Sequence, residues 1–155
     1  MATKAQTEAA NVRHLLCPSA PGTLPDSVVI GVVTGDFDAP RVRPTEQALP
    51  VTIDILAMAE PVSPSEVFRF ASACRGTECV HFEHDACQLA VRSVDLLESV
   101  TDELPRCPIR PVCRWFRQEG PAMCRRCPQI ITDQFIPREK MLQIVYGTDP
   151  PPANL

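Results

Sequence analysis

Cys107-Pro-Ile-Arg-Pro-Val-Cys113-Arg-Trp-Phe-Arg-Gln-Glu-Gly-Pro-Ala-Met-Cys124-Arg-Arg-Cys127-Pro128 is the stretch on which the reading of this chain turns. Its cysteines follow the pattern C-x5-C-x10-C-x2-C-P. Four thiols is the number that one tetrahedral zinc ion or one [4Fe–4S] cluster requires. Cys124 and Cys127 stand three apart, a spacing that lets two sulfurs grip one centre. Thiols bind metal as thiolates, and nearby guanidinium groups favour that form. Arg106, Arg110, Arg114, Arg125 and Arg126 supply such groups and offset the negative charge of four sulfurs.

A second group lies upstream. Cys74, Cys79, His81, His84 and Cys87 read C-x4-C-x-H-x2-H-x2-C. With Cys74, Cys79, His81 and Cys87 as ligands, it forms a second metal site or completes the first. Cys87 is expected in the first turn of a helix, where the dipole favours a thiolate. The plain alternatives are a small buried hydrophobe for Cys87 and a surface or capping residue for His84 beside Asp85. Cys17 has no cysteine near it in sequence and reads as a buried free thiol or an idle residue; a distant ligand is the minority reading.

Zinc and iron–sulfur centres share these ligands. Zinc ribbons use two C-x2-C pairs, and this chain has one. Cysteine followed by proline at the end of a ligand run resembles the bacterial ferredoxin pattern, and Cys127-Pro128 fits it. Cys17-Pro18 and Cys107-Pro108 repeat the dipeptide, so it discriminates little. The expected cofactor is an iron–sulfur cluster, [4Fe–4S] in preference, with zinc as the alternative.

The rest of the sequence sets the frame. A chain of 155 residues buries roughly 70% of its unfolded surface, so metal is not obligatory for folding. Aromatic residues are only 5% of the chain, however, and prolines number 17. Few large anchors and many helix breakers point to a loop-rich fold with a modest core. A structural metal adds on the order of 10 kcal/mol to such a fold. Six glycines leave little material for a phosphate-binding loop, and no catalytic triad is evident.

Along the chain, residues 1–25 read as a tail and loop. Val28–Thr34 is an apolar, β-branched run and reads as a strand, with a shorter one at Arg41–Arg43. Thr52 caps a short helix through Met58. Ser63-Pro64-Ser65-Glu66 has the form of a capping box, so a helix is expected from Pro64 to about Ala73, delivering Cys74. The longest apolar stripe at helical spacing runs from Ala86 to Glu103, with Asp85 as its cap. Pro111 starts another helix that Gly120 stops, and a last one spans Pro137 to Tyr146. The fold class is α+β, mostly helical and loop-rich. One domain is expected over residues 26–148, with an α/β part at 26–73 and a Cys-rich metal-binding part at 74–132. Residues 149–155 form a tail.

Charge is uneven. Glu78 to Glu103 holds seven acidic residues and one arginine, whereas Leu104 to Cys127 holds six arginines and one glutamate, within a net charge of −4. The two segments either pack together or offer charged docking surfaces. Arg114, Trp115, Phe116 and Arg117 have the materials for nucleic-acid contact, although Trp115 suits a buried anchor better. No run approaches a membrane-spanning length, and the start lacks the form of a signal peptide. A cytoplasmic location is therefore expected, where cysteines serve metal or redox chemistry.

The stretch Cys107 to Thr132, together with Glu66-Val-Phe-Arg-Phe-Ala-Ser-Ala-Cys74 and Cys79-Val-His-Phe82, resembles small uncharacterised cysteine-rich bacterial proteins, notably cyanobacterial ones. The resemblance covers about residues 15 to 135. It brings no activity, and implies that His81 belongs with the cysteines more than His84 does. A weaker similarity to ferredoxins rests on the Cys-Pro ending, without their compact C-x2-C-x2-C run. Together these features imply a cytoplasmic iron–sulfur protein for electron transfer or redox sensing, working with a redox protein partner; no residues for substrate chemistry are read, so no enzyme is assigned. The alternative is a zinc-stabilised module that binds nucleic acid or a protein.

Overall fold

The structure, a computed structural model, describes residues 14–36, 38–132 and 139–147. Residues 1–13 of the tail and loop expected at 1–25, the tail expected at 149–155 and the start of the last helix at Pro137 lie outside them. Val28–Thr34 is a strand, β2, as its β-branched run requires. It is central in a four-stranded antiparallel sheet with strand order β1-β4-β2-β3. β1 is Leu16–Ala20, β3 is Arg41–Pro50 and β4 is Phe68–Ala73. Thr52 caps α1, Ile53–Ala57, by accepting a hydrogen bond from the Ile55 amide at 3.2 Å.

Three expectations are corrected. Leu16–Ala20 is an edge strand, not part of a tail; Cys17 pairs with Ser72, and the Cys74 amide donates to the Leu15 carbonyl at 2.8 Å. The helix expected over Pro64–Ala73 stops after one turn. Glu66 does bond back to the Ser63 amide at 2.8 Å, and α2 is Pro64–Val67. From Phe68 the chain becomes β4, lying between β1 and β2. Phe68 and Phe70 join one buried cluster with Val29 and Ala59, while Ala71 joins the other with Ile30 and Trp115. That period of two is worth more in a sheet buried on both faces than a capping box is worth in isolation.

The helix expected over Ala86–Glu103 is shorter, at Gln88–Leu96 (α3). Asp85 does not cap it. His84 and Asp85 have φ of 52° and 60° and make the two-residue turn between Phe82–Glu83 (β5) and Ala86–Cys87 (β6). Two consecutive left-handed residues are the requirement of a tight hairpin turn. Beyond Leu97 the chain leaves the helix and is tied to the last cysteines: Val100 donates to the Arg125 carbonyl, and Arg126 donates to the Leu97 carbonyl at 2.6 Å.

The C-terminal half is built of short helices, α4 (Arg114–Glu119), α5 (Pro121–Cys124) and α6 (Glu139–Tyr146). Gly120, at φ +69°, ends α4 and begins α5. The helical layer covers one face of the sheet around Trp115, 2% exposed, and Met123, 1% exposed. Fold class is thus α+β, with the sheet larger than its sequence suggested.

Candidate metal centres

The cysteines fall into two groups of four. Cys107, Cys113, Cys124 and Cys127 line one pocket, together with Arg69, Arg110 and Trp115. Loops and caps present them: Cys113 is the N-cap of α4, Cys124 closes α5, and Cys127 opens a 3-10 turn that ends at Gln129. Burial pushes the Cys113 thiol up to about 12 and also raises Cys107 and Cys124, with neighbouring thiols of the group adding to the shift. Arg110 opposes it at Cys124.

Cys74, Cys79, His81 and Cys87 line a second, roomier pocket, and Cys17 lines it with them. The sequence reading left Cys17 outside its ligand sets and held a distant ligand only as the minority reading. It is 57 residues from Cys74, yet the β1–β4 pairing sets the two side by side. Burial raises the Cys17 thiol to about 11, and the thiols of Cys87, Cys74 and Cys79 add to that. Cys87 is also raised by burial. His81 is shifted down by burial, then by Arg92. His84 does not line this pocket and belongs to the hairpin turn.

The pockets are neighbours. Trp115 lines both, and Leu16, next to Cys17, forms a parallel bridge with Cys113. Helix α4 also reaches the second pocket through Gln118. Its side chain accepts from the Cys87 amide at 2.8 Å and donates to the Cys87 carbonyl at 3.1 Å, so it pairs with that backbone as a strand would.

The arginines behave unlike a surface charge run. Among the described residues the ion pair found is Arg106–Glu46, 3.9 Å apart and exposed, so the acidic and basic segments do not pack through ion pairs. Three of the six, Arg110, Arg114 and Arg126, instead turn to backbone carbonyls, while Arg106 and Arg117 are exposed. Arg126 donates to the Ala122 carbonyl at 2.7 Å, and Arg110 to that of Pro105. Arg114 is 6% exposed, lies over the Phe82 ring at 4.8 Å and donates to the Asp85 carbonyl. With Trp115 buried, this segment presents no indole face to a nucleic-acid base.

Arg69 is a residue the sequence reading missed. It lies on β4, 2% exposed, and donates to Cys127 Sγ at 2.9 Å and to the Ile130 carbonyl at 2.6 Å. Its guanidinium sits 5.5 Å from the Trp115 ring. Opposite it stands Gly31, where a Cβ would come within 2.6 Å of Val42 Cγ1.

Among the described residues, four buried donor atoms have no hydrogen-bond partner: Nε of Arg69, Arg110 and Arg114, and Trp115 Nε1. All four belong to residues that line the two cysteine pockets. Trp115 Nε1 makes no hydrogen bond as it stands, but it lies near enough to Cys87 to favour its thiolate. Buried N–H groups without acceptors are costly, about 1–3 kcal/mol each, and an anionic sulfur centre would satisfy them. Among the described residues no three His, Cys, Asp or Glu side chains are close enough to hold a single metal ion. No family model matches this chain, and no curated protein or solved structure matches it.

Proposed function

We propose that the protein is an iron–sulfur protein serving one-electron transfer or redox sensing in the cytoplasm. The group Cys107, Cys113, Cys124 and Cys127 would hold a [4Fe–4S] cluster. The observation that supports the reading is that the residues carrying buried, acceptorless N–H donors line the same pockets as the grouped thiols. Cluster sulfurs accept hydrogen bonds, and such bonds with local positive charge tune the potential. Arg69 and Arg110 would also compensate the charge of four thiolates in a buried site. When bound, the cluster supplies a one-electron couple. The chain itself would hold the thiolates and place guanidinium groups beside them.

A cysteine-rich centre of this kind exchanges electrons with another redox protein, so a protein partner is part of the proposal. No helix among the described residues is long and apolar enough to cross a membrane. Anaerobic purification should give a brown protein whose broad visible absorption bleaches with dithionite. A colourless protein with stoichiometric zinc, after anaerobic expression and iron–sulfide reconstitution, overturns the reading in favour of a zinc-stabilised interaction module.

A further inference from the structure

We propose that Cys17, Cys74, Cys79 and Cys87 form a second, all-thiolate site for a [4Fe–4S]-class cluster, with His81 outside the ligand set. The proposal rests on the iron–sulfur reading above and assigns its second centre. Three independent parts of the fold bring these thiols to one pocket. Antiparallel pairing of β1 with β4, continued by the Cys74 amide to the Leu15 carbonyl, sets Cys17 beside Cys74. A 3-10 turn closed by the Cys79 amide on the Gly76 carbonyl presents Cys79 to the same pocket. The β5–β6 hairpin and the Gln118 clamp hold Cys87, which lines that pocket too.

The count and the chemistry agree. Four thiols complete the set a cubane requires, so no histidine is needed. Arg114 Nε and Trp115 Nε1, both buried and without acceptors, flank the pocket as Arg69 and Arg110 flank the first. Transfer of a preformed [4Fe–4S] core from a small-thiolate complex forms four Fe–thiolate bonds here and breaks the four that held the core there, each incoming thiol passing its proton to a departing thiolate. His81 then remains beside the site as a neutral or donating neighbour, near Arg92.

The test is iron and acid-labile sulfide analysis with EPR on the anaerobically reconstituted full chain. Two clusters give about eight irons per chain. Cys17→Ser should bring this to about half, and His81→Ala should leave it unchanged. Because Trp115 touches both pockets, the fully reduced wild type should show a spectrum broadened by spin–spin coupling and integrating to about two spins per chain. That wild-type readout establishes the second centre even if Cys17→Ser fails to fold, and a His81→Ala protein that keeps both clusters then excludes the histidine from the ligand set. Loss of half the iron in His81→Ala with none lost in Cys17→Ser overturns the ligand assignment. About four irons in the wild type, lost on Cys124→Ser but kept on Cys17→Ser, overturns the second centre and leaves the broader reading standing. No iron in any preparation overturns the broader reading itself.

Discussion

Arg69 carries a positive charge into the middle of the sheet, which a folded protein tolerates only with compensation. Its compensation here is one thiol, one carbonyl and an indole ring, with Nε left over. A thiolate or cluster sulfur at Cys127 turns the 2.9 Å contact into a charge-assisted hydrogen bond. Reduction adds negative charge to a cluster, so a nearby cation stabilises the reduced form more. Arg69→Met keeps the volume and removes the charge. It should lower the midpoint potential by roughly 60 mV or more, the equivalent of one charge-assisted bond of about 1.5 kcal/mol. Protein-film voltammetry of the two proteins checks this. In sequence Arg69 was one arginine in a segment assigned to a helix. Only its place in β4 turns it inward.

At the scale of elements, α4 is the connection between the two thiol groups. Its N-cap is Cys113, its first turn holds Arg114 and Trp115, and its last turn holds Gln118. Gln118 satisfies both backbone groups of Cys87, an edge position that no strand covers. Gln118→Ala leaves the amide and carbonyl without these partners and should destabilise the protein by about 1–3 kcal/mol. The expected pattern is selective: thermal denaturation shows the loss, and cluster content falls at the second group before the first. Element boundaries also show where sequence signals fail. The capping box at Ser63 and Glu66 forms as read, but it specifies one turn and nothing beyond. The apolar stripe from Ala86 to Glu103 was real as a pattern. Its first two residues became a hairpin strand and its end a strap over the Arg125 carbonyl. The strand at Val28–Thr34 and the helix capped by Thr52 were legible because their signals are local and complete.

Across the whole molecule, eight thiols are gathered between a sheet and a layer of helices none of which exceeds nine residues among those described. Short helices of this kind hold themselves poorly, so stability depends on packing and, under the proposed function, on the bound clusters. Removing the cofactor with an iron chelator should lower the melting temperature markedly. It should also expose an alkaline transition absent from the loaded protein. In the metal-free chain, burial favours the neutral Cys17 thiol and raises it to about 11. Its contribution is fully present below the unfolded thiol's range and is lost as pH rises through the folded value. Stability of the metal-free protein should therefore decline between about pH 9 and pH 11, as measured by denaturation at fixed ionic strength.

The sequence by itself determined the chemical inventory: eight cysteines, an arginine-rich setting, an α+β class and the membership of Cys107, Cys113, Cys124 and Cys127 in one spacing pattern. Those features are local, because short spacings, caps and β-branched runs act through neighbours in the chain. The tertiary structure alone decided that Cys17 joins Cys74, Cys79 and Cys87, that His84 belongs to a turn, and that Arg69 faces a thiol. Each of these depends on strand pairing between distant segments. A strand shows its two faces only once its register is set by partners, and no spacing along the chain encodes which partners those are.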